Sequence, residues 1–351
     1  MPSLFDPIQV GDLHLPNRIF MAPLTRLRGT PDHVPTPLMA EYYTQRAGAG
    51  LILSEGIPID PLGVGYANVP GLWSSEQTEA WKPIVSAVHD AGGRIFAQIW
   101  HVGRISDPEF LGGQLPVAPS AIAATGMVSL LRPQRPFVVP RALETGEIPR
   151  IIEAFRRGAQ NAHIAGFDGV ELHGANGYLL DQFLQDGSNQ RTDQYGGVIE
   201  NRARLMLECT DAAISVFGAA RVGMHLAPRS DVHGISDSNH QATFTYVARE
   251  LGKRKIAFIT AREYVGPDSL GPTLKQTFGG VFVANEAIDQ GTGQELLDQG
   301  KADAVAFGKL FIANPDLPLR FGKGAPLNRP DAKSFYAEGS TGYTDYPALN
   351  A

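Results

Sequence analysis

Eight short β-type runs, most of them apolar from end to end, alternate along this chain with longer segments of helical spacing. They are Ile19–Ala22, Leu51–Ser54, Ile95–Ile99, Gly169–Leu172, Val222–Leu226, Ile256–Thr260, Val281–Ala284 and Ala304–Phe307. Strands that face water on one side alternate apolar and polar residues; strands buried on both faces of a parallel sheet do not. The pattern therefore predicts an α/β fold of repeated βα units closed into a (β/α)8 TIM barrel. Between the strands, Ser74 and Gln77 have capping-box spacing and open a helix toward Val88. Ile148, Ile151, Ile152, Phe155, Ala159 and Ala162 form one helical stripe, and Ile199, Ala203, Met206, Ala213 and Phe217 another.

Two segments break the rhythm. Residues 7–16 precede the first strand and carry Gly11-Asp12, a turn signal that predicts an N-terminal β-hairpin capping the bottom of the barrel. Residues 102–147, rich in Pro and Gly, make a long capping insertion after strand three. Connections of that length usually serve function rather than mere linkage. No linker or repeat divides the chain, so a single domain over residues 1–351 is expected.

Composition narrows the function. The 351 residues carry a formal charge of −6 without any Lys/Arg run, which argues against nucleic acid or an anionic membrane as partner. A lone cysteine, Cys209, allows neither an internal disulfide nor a cysteine-clamped metal. The N-terminus lacks a signal-peptide pattern and no apolar stretch is long enough to cross a bilayer. A cytoplasmic enzyme, monomeric or homodimeric, is the expectation.

Common catalytic spacings are missing. There is no Gly-x-Gly-x-x-Gly after a strand, no Walker loop, no His-Glu-x-x-His and no Gly-x-Ser-x-Gly. What remains is a set of polar residues at successive strand ends, which in a barrel share one face. Strand one runs into Pro23-Leu24-Thr25-Arg26, strand three ends at Gln98-Ile99-Trp100-His101, and strand five carries His225. Strands seven and eight end at Asn285 and at Gly308-Lys309, the usual phosphate position of such barrels. After strand four comes His173-Gly174-Ala175-Asn176-Gly177-Tyr178. There, His173 and Asn176 on one face of a helical turn would aim two donors at one acceptor, with a phenol close behind. No metal site is expected.

These segments resemble the Old Yellow Enzyme family of FMN-dependent ene-reductases, and the resemblance covers nearly the whole chain. It rests on Phe20-Met21-Ala22-Pro23-Leu24-Thr25-Arg26, on Gln98-Ile99-Trp100-His101-Val102-Gly103-Arg104 and on the run from His173 to Leu184. Further support comes from Gln190-Arg191-Thr192-Asp193, Tyr195-Gly196-Gly197, Glu200-Asn201-Arg202, the run from Phe311 to Leu317 and the run from Gly342 to Pro347. The bacterial branch acting on xenobiotics and nitrate esters is the most similar. The resemblance implies FMN as cofactor and NADPH or NADH as reductant. It implies that Pro23, Leu24, Thr25, Gly56, Gln98 and His225 contact the flavin ring, and that Asn285, Gly308 and Lys309 hold its phosphate. His173 and Asn176 would grip a carbonyl or nitro oxygen, Tyr178 would donate the proton, and Tyr66, Trp100 and Tyr343 would wall the substrate pocket. Enones, enals, maleimides and nitro compounds are the implied substrates, with nitrate esters and nitroaromatics as further acceptors.

Three departures from the family pattern stand out. His225 occupies the place of an arginine that offsets the charge of the reduced flavin, and a histidine does so only when protonated. Lys309 replaces an arginine at the phosphate and gives up bidentate geometry. Gly56 stands where a side chain is more usual, with little change expected because the contact is through backbone. Two alternatives follow. Relatives that carry an iron–sulfur cluster need more thiolates than Cys209 supplies. A catalytically weak flavin-binding or redox-sensing barrel is the other.

Overall fold

All eight runs become parallel strands, and they hydrogen-bond side by side until the ring closes. The structure is a computed structural model in which residues 1–349 are described. In chain order the strands are β1 (Ile8–Val10), β2 (Leu13–Leu15), β3 (Ile19–Met21), β4 (Ile52–Pro58), β5 (Ile95–Trp100), β6 (Val117–Ala118), β7 (Arg141–Ala142), β8 (Gly169–Gly174), β9 (Val222–Leu226), β10 (Phe258–Arg262), β11 (Val281–Asn285) and β12 (Ala304–Phe307). The barrel runs β3-β4-β5-β8-β9-β10-β11-β12 and back to β3.

The Gly11-Asp12 signal is a true hairpin: β1 and β2 pair antiparallel, with Ile8 opposite Leu15. Their buried residues Ile8, Val10, Leu13 and Leu15 pack with Phe20, Leu53, Phe96, Phe258 and Val283, sealing one end of the barrel. The insertion over residues 102–147 is irregular apart from two single-turn helices and the short parallel β6–β7 pair. Arg104 anchors its start, donating to the Ile122 carbonyl at 3.1 Å.

Helices cover the barrel as the stripes predict. Ser74 and Gln77 form a complete capping box ahead of the helix Ser75–Asp90, and the Ile148 stripe is the helix Ile148–Ala165. The Ile199 stripe is two helices, Ile199–Arg202 and Arg204–Phe217, with Ala203 as the cap residue between them. Cys209 is buried in the second of them and packs as a small hydrophobe.

Alternation along each strand sorts residues into two environments. Ala97, Ile99, Val170, Leu172, Met224 and Ile259 belong to the core shared with the helices. The residues between them fill the barrel in layers. At the lowest layer Phe96 and Phe258 meet at a 5.7 Å ring separation. Gly169 and Gly223 make room for them, since a Cβ there would stand 2.4 Å from the Phe96 ring and 2.3 Å from the Phe258 ring. Two residues further along, the layer is Gln98, Glu171, His225 and Thr260, all buried and joined by hydrogen bonds. Two further again stand Trp100, His173 and Arg262, at the strands' C-terminal ends. An apolar floor thus turns polar within two residues on the same strands.

Five strand ends lie further along than the sequence suggests, and two of the extensions bring in an acidic or basic residue, Glu55 or Arg262. β4 continues past Ser54 to Pro58, with a register shift between Leu53 and Gly56, because the Glu55 carboxylate finds donors inside the fold. β10 begins at Phe258 rather than Ile256 and runs on to Arg262, whose charge is met at the cavity instead of in solvent.

Candidate active site

A cavity of about 770 Å3 opens over the C-terminal strand ends, within the range of cofactor and ligand sites. Of the residues implicated by sequence, Pro23, Leu24, Thr25, Tyr66, His173, Asn176, Tyr178, His225, Asn285, Gly308 and Lys309 line it together. Four do not: Gly56, Gln98, Trp100 and Tyr343.

The wall from Pro23 to Thr25 is fixed by anchors behind it. Glu55 accepts from the backbone N–H groups of Arg26 at 3.1 Å and Leu27 at 3.3 Å. Burial outweighs those donors and pushes the Glu55 carboxyl up to about 7. The Arg26 guanidinium reaches the Tyr42 hydroxyl at 2.9 Å and the carbonyls of Phe335 and Gly342. A buried fork with this many acceptors pins the loop to the C-terminal segment.

The His173 turn departs from the helical geometry expected of it. His173 and Gly174 still belong to β8, and Asn176 is left-handed at φ 58°. The turn is held from below: Asp181 accepts from the Gly177 N–H at 2.9 Å and Gln182 donates to the Gly177 carbonyl at 2.6 Å. Burial raises the Asp181 carboxyl to about 7. Arg262 donates to Oδ1 of Asn176 at 2.7 Å, and because a guanidinium only donates, the Asn176 amide nitrogen is left as the free donor. The Arg262 guanidinium is itself paired with Glu286.

Electrostatics set the protonation of this cluster. Burial, then the neighbouring His225 and Arg262, depress the His173 pKa well below its ordinary value, so the ring is neutral near pH 7. Its Nδ1 is buried without a partner. Burial and the adjoining Tyr66 push the Tyr178 phenol well above its ordinary range, and the two hydroxyls lie 2.8 Å apart. A neutral imidazole, an amide N–H and a phenol proton therefore meet at one wall.

The remaining polar positions fit a flat, phosphorylated cofactor. His225 lines the cavity, and its Nε2 is buried and lacks a partner. Arg132, Arg262 and Lys309 are the cations on the lining, against one carboxylate, Glu286. Lys309 stands where β12 gives way to the helix Lys309–Ala313. Across from it the chain leaves β11 through Glu286 and Ala287 at φ 103° and 53°, an uncommon pair for residues with side chains and the kind of strain that collects at functional sites. Among the described residues no group of three His, Cys, Asp or Glu side chains could hold a metal.

Four sequence expectations change. Tyr343 does not wall the pocket: it is fully buried, stacked on Tyr42 at 4.0 Å with Arg28 4.6 Å from its ring centre. Tyr336, ahead of it in the C-terminal segment, lines the cavity instead. Trp100 lies behind the wall, stacked on Tyr66 at 5.9 Å and edge-on to Tyr178 at 4.7 Å. Gly56 matters more than its backbone, since a Cβ there would come within 2.7 Å of the Trp100 indole. Gln98 sits below the cavity with its amide N–H donated to Glu171 at 2.8 Å. Asn285 lines the cavity but donates its amide to the Ala306 carbonyl at 2.7 Å. Sequence reasoning missed Arg262, although its place two residues beyond Thr260 in an otherwise apolar run was the available signal.

Fold and site together define a barrel oxidoreductase built for a flat anionic cofactor and a substrate oxygen. The description "NADH:flavin oxidoreductase / NADH oxidase family" matches residues 3–328 of the chain. A 12-oxophytodienoate reductase 1 of Oryza sativa subsp. japonica is 45% identical over 364 aligned positions, covering 99% of this chain and 93% of the relative. Among solved structures, an Old Yellow Enzyme homologue from Zymomonas mobilis superposes with a TM-score of 0.97 at 46% identity, over 99% of this chain and 100% of the other. Morphinone reductase in complex with tetrahydroNAD gives 0.96 at 50% identity, over 100% and 98%. The chain belongs to the Old Yellow Enzyme family of FMN-dependent, NAD(P)H-oxidising ene-reductases.

Proposed function

We propose that this protein reduces the C=C bond of α,β-unsaturated aldehydes, ketones, imides and nitro compounds, with nitroaromatics and nitrate esters as further acceptors. The observation that carries the reading is the convergence of neutral His173, the oriented amide of Asn176 and the protonated phenol of Tyr178 on one cavity wall. A bound FMN would supply the hydride, drawn from NADPH or NADH, for the substrate β-carbon.

Each residue then has a task. His173 and Asn176 donate to the substrate's carbonyl or nitro oxygen, which gains negative charge as the β-carbon is reduced; donors aimed there favour the transition state. Tyr178 delivers its proton to the α-carbon, and Tyr66 supports the phenol through their shared hydrogen bond. Arg262 fixes the Asn176 amide. Pro23, Leu24 and Thr25 would face the flavin ring, His225 its pyrimidine edge, and Gly308 and Lys309 would receive the phosphate, with Asn285 bracing the strand ends. Gln98 and Gly56 act from below, by holding His225's neighbours and the Trp100 indole.

Residues 1–351 would act as one FMN-binding unit, with 102–147 shaping the substrate side through Ser129, Leu130, Arg132 and Gln134. No helix among the described residues is long and apolar enough to cross a membrane, which fits a cytoplasmic monomer or homodimer working on small molecules. The test is NAD(P)H oxidation by the purified, FMN-loaded protein with 2-cyclohexenone or N-methylmaleimide under anaerobic conditions. Stoichiometric consumption supports the reading; a flavin-bearing protein that turns over neither substrate contradicts it and leaves a silent flavin binder.

A further inference from the structure

Glu171 has no part in the reading above, yet it is a fully buried carboxylate in the middle of the barrel. Among the described residues no Lys or Arg pairs with it; the one charge-capable neighbour is His225, whose Nδ1 lies 3.4 Å from Oε2. Thr260 donates to Oε1 at 2.8 Å and Gln98 donates to Oε2 at 2.8 Å. A carboxylate held only by neutral donors is left poorly compensated in a dry interior.

The tautomer of His225 follows from its partners. Glu171 only accepts, so the ring hydrogen belongs on Nδ1, facing the carboxylate. Gln98 Nε2 lies equally far from Nδ1, at 3.4 Å, but a hydrogen on Nδ1 meets a charged acceptor and so makes the stronger bond. The neutral ring then turns a bare Nε2 toward the cavity, and that atom is buried and unpartnered. Protonation converts the same atom into a cationic donor whose charge Glu171 balances from the other side of the ring. The flavin pyrimidine edge asks for this change, because it carries negative charge only in the reduced state.

We infer that Glu171 and His225 form a buried proton-storing couple: Nε2 of His225 takes up one solvent proton when the adjoining cofactor is reduced and returns it on reoxidation. The inference rests on His225 facing the flavin, as proposed above. Forming anionic reduced flavin takes two electrons and one proton; the couple takes a second proton from solvent and later gives it back, so no further reactant enters. Other groups around His225 do not do the same work. His173 on β8 stacks on it at 5.6 Å and stays neutral, and Arg262 on β10 and Lys309 after β12 are cations on the same cavity lining rather than groups that take up a proton. Gln98 on β5 and Thr260 on β10 do not titrate. Glu171 is therefore the positioning residue: it faces Nδ1 and leaves Nε2 for the cofactor.

The test is the pH dependence of the two-electron midpoint potential of the FMN-loaded protein between pH 6 and 8. One proton per two electrons moves the potential by about 30 mV per pH unit, and two protons by about 59 mV. The couple predicts the steeper slope in the wild type. Both His225→Arg, a permanent cation, and Glu171→Gln should bring the slope to the shallower value. A second readout needs no variant: photoreduction in weak buffer with an indicator dye should take up two protons per flavin. A wild-type slope near 30 mV with one proton taken up overturns the inference, as does a steep slope that survives Glu171→Gln. Failure of enone turnover with a steep slope would instead fault the substrate reading and leave the couple standing.

Discussion

The lower and upper interiors of the barrel are built from the same strands and obey opposite rules. At the floor, Phe96 and Phe258 fill the space that Gly169 and Gly223 vacate, and the hairpin seals it. Two residues along, the side chains are Gln98, Glu171, His225 and Thr260; beyond them come Trp100, His173 and Arg262. The floor is specified by volume, so its tolerance is steric. The upper layers are specified by donors and acceptors, so their tolerance is a matter of which polar group is left unpaired. A strand in this protein is thus a structural element at one end and an instrument of chemistry at the other.

Variants can break that contrast, and the largest effect belongs to the top. Tyr178→Phe should slow enone reduction by roughly 10²–10⁴-fold, the usual contribution of a positioned acid, while flavin reduction by NAD(P)H stays near normal. Stopped-flow measurement of both half-reactions checks it; an unchanged oxidative half-reaction removes Tyr178 as the donor. At the floor, Phe258→Ala should cost about 3–5 kcal/mol of stability in urea unfolding while the cavity chemistry persists in the folded fraction. A floor variant that folds normally but loses substrate binding would erase the distinction between the two layers.

Smaller effects sharpen it. His173→Ala with Asn176→Ala should weaken binding of a phenol ligand and enone turnover by about 1–3 kcal/mol, with thermal stability little changed. Arg262→Leu frees the Asn176 amide and should cost about 1 kcal/mol in kcat/KM, without altering the flavin content read from the absorption spectrum. A last check is a pH dependence. Glu55, at about 7 in the fold against 4.5 ordinarily, binds more protons folded than unfolded across that interval. Its contribution to stability therefore falls as pH rises from about 4.5 to 7. Glu55→Gln should gain on the wild type between pH 5 and pH 8 in urea midpoints; an identical offset at both pH values would contradict the assignment.

Much of this was legible in the chain because buried parallel strands announce themselves by unbroken apolar runs. All eight barrel strands, the hairpin at Gly11-Asp12 and the Ser74 capping box follow from local pattern alone. Legibility failed where a polar residue is accommodated by a distant partner. Glu55 and Arg262 lie just outside the strands that the sequence predicts, yet each belongs to one, because Arg26, Leu27, Asn176 and Glu286 meet them from elsewhere in the chain. Glu171 went unremarked for the same reason: its neighbours Gln98, His225 and Thr260 are adjacent only after the barrel closes. Tyr343 shows the reverse error. The family resemblance implied a pocket wall at this position, but Arg26 and Arg28 draw the ring into the core beside Tyr42.

The central claim, that the upper layers form the site where flavin-borne hydride reaches an unsaturated substrate, is tested most directly by an anaerobic absorption titration of the FMN-loaded wild type. NADPH should bleach the flavin band and 2-cyclohexenone should restore it, with steady-state kinetics of the ping-pong form. A band that bleaches and then stays bleached through excess enone, maleimide and nitroalkene would contradict the claim.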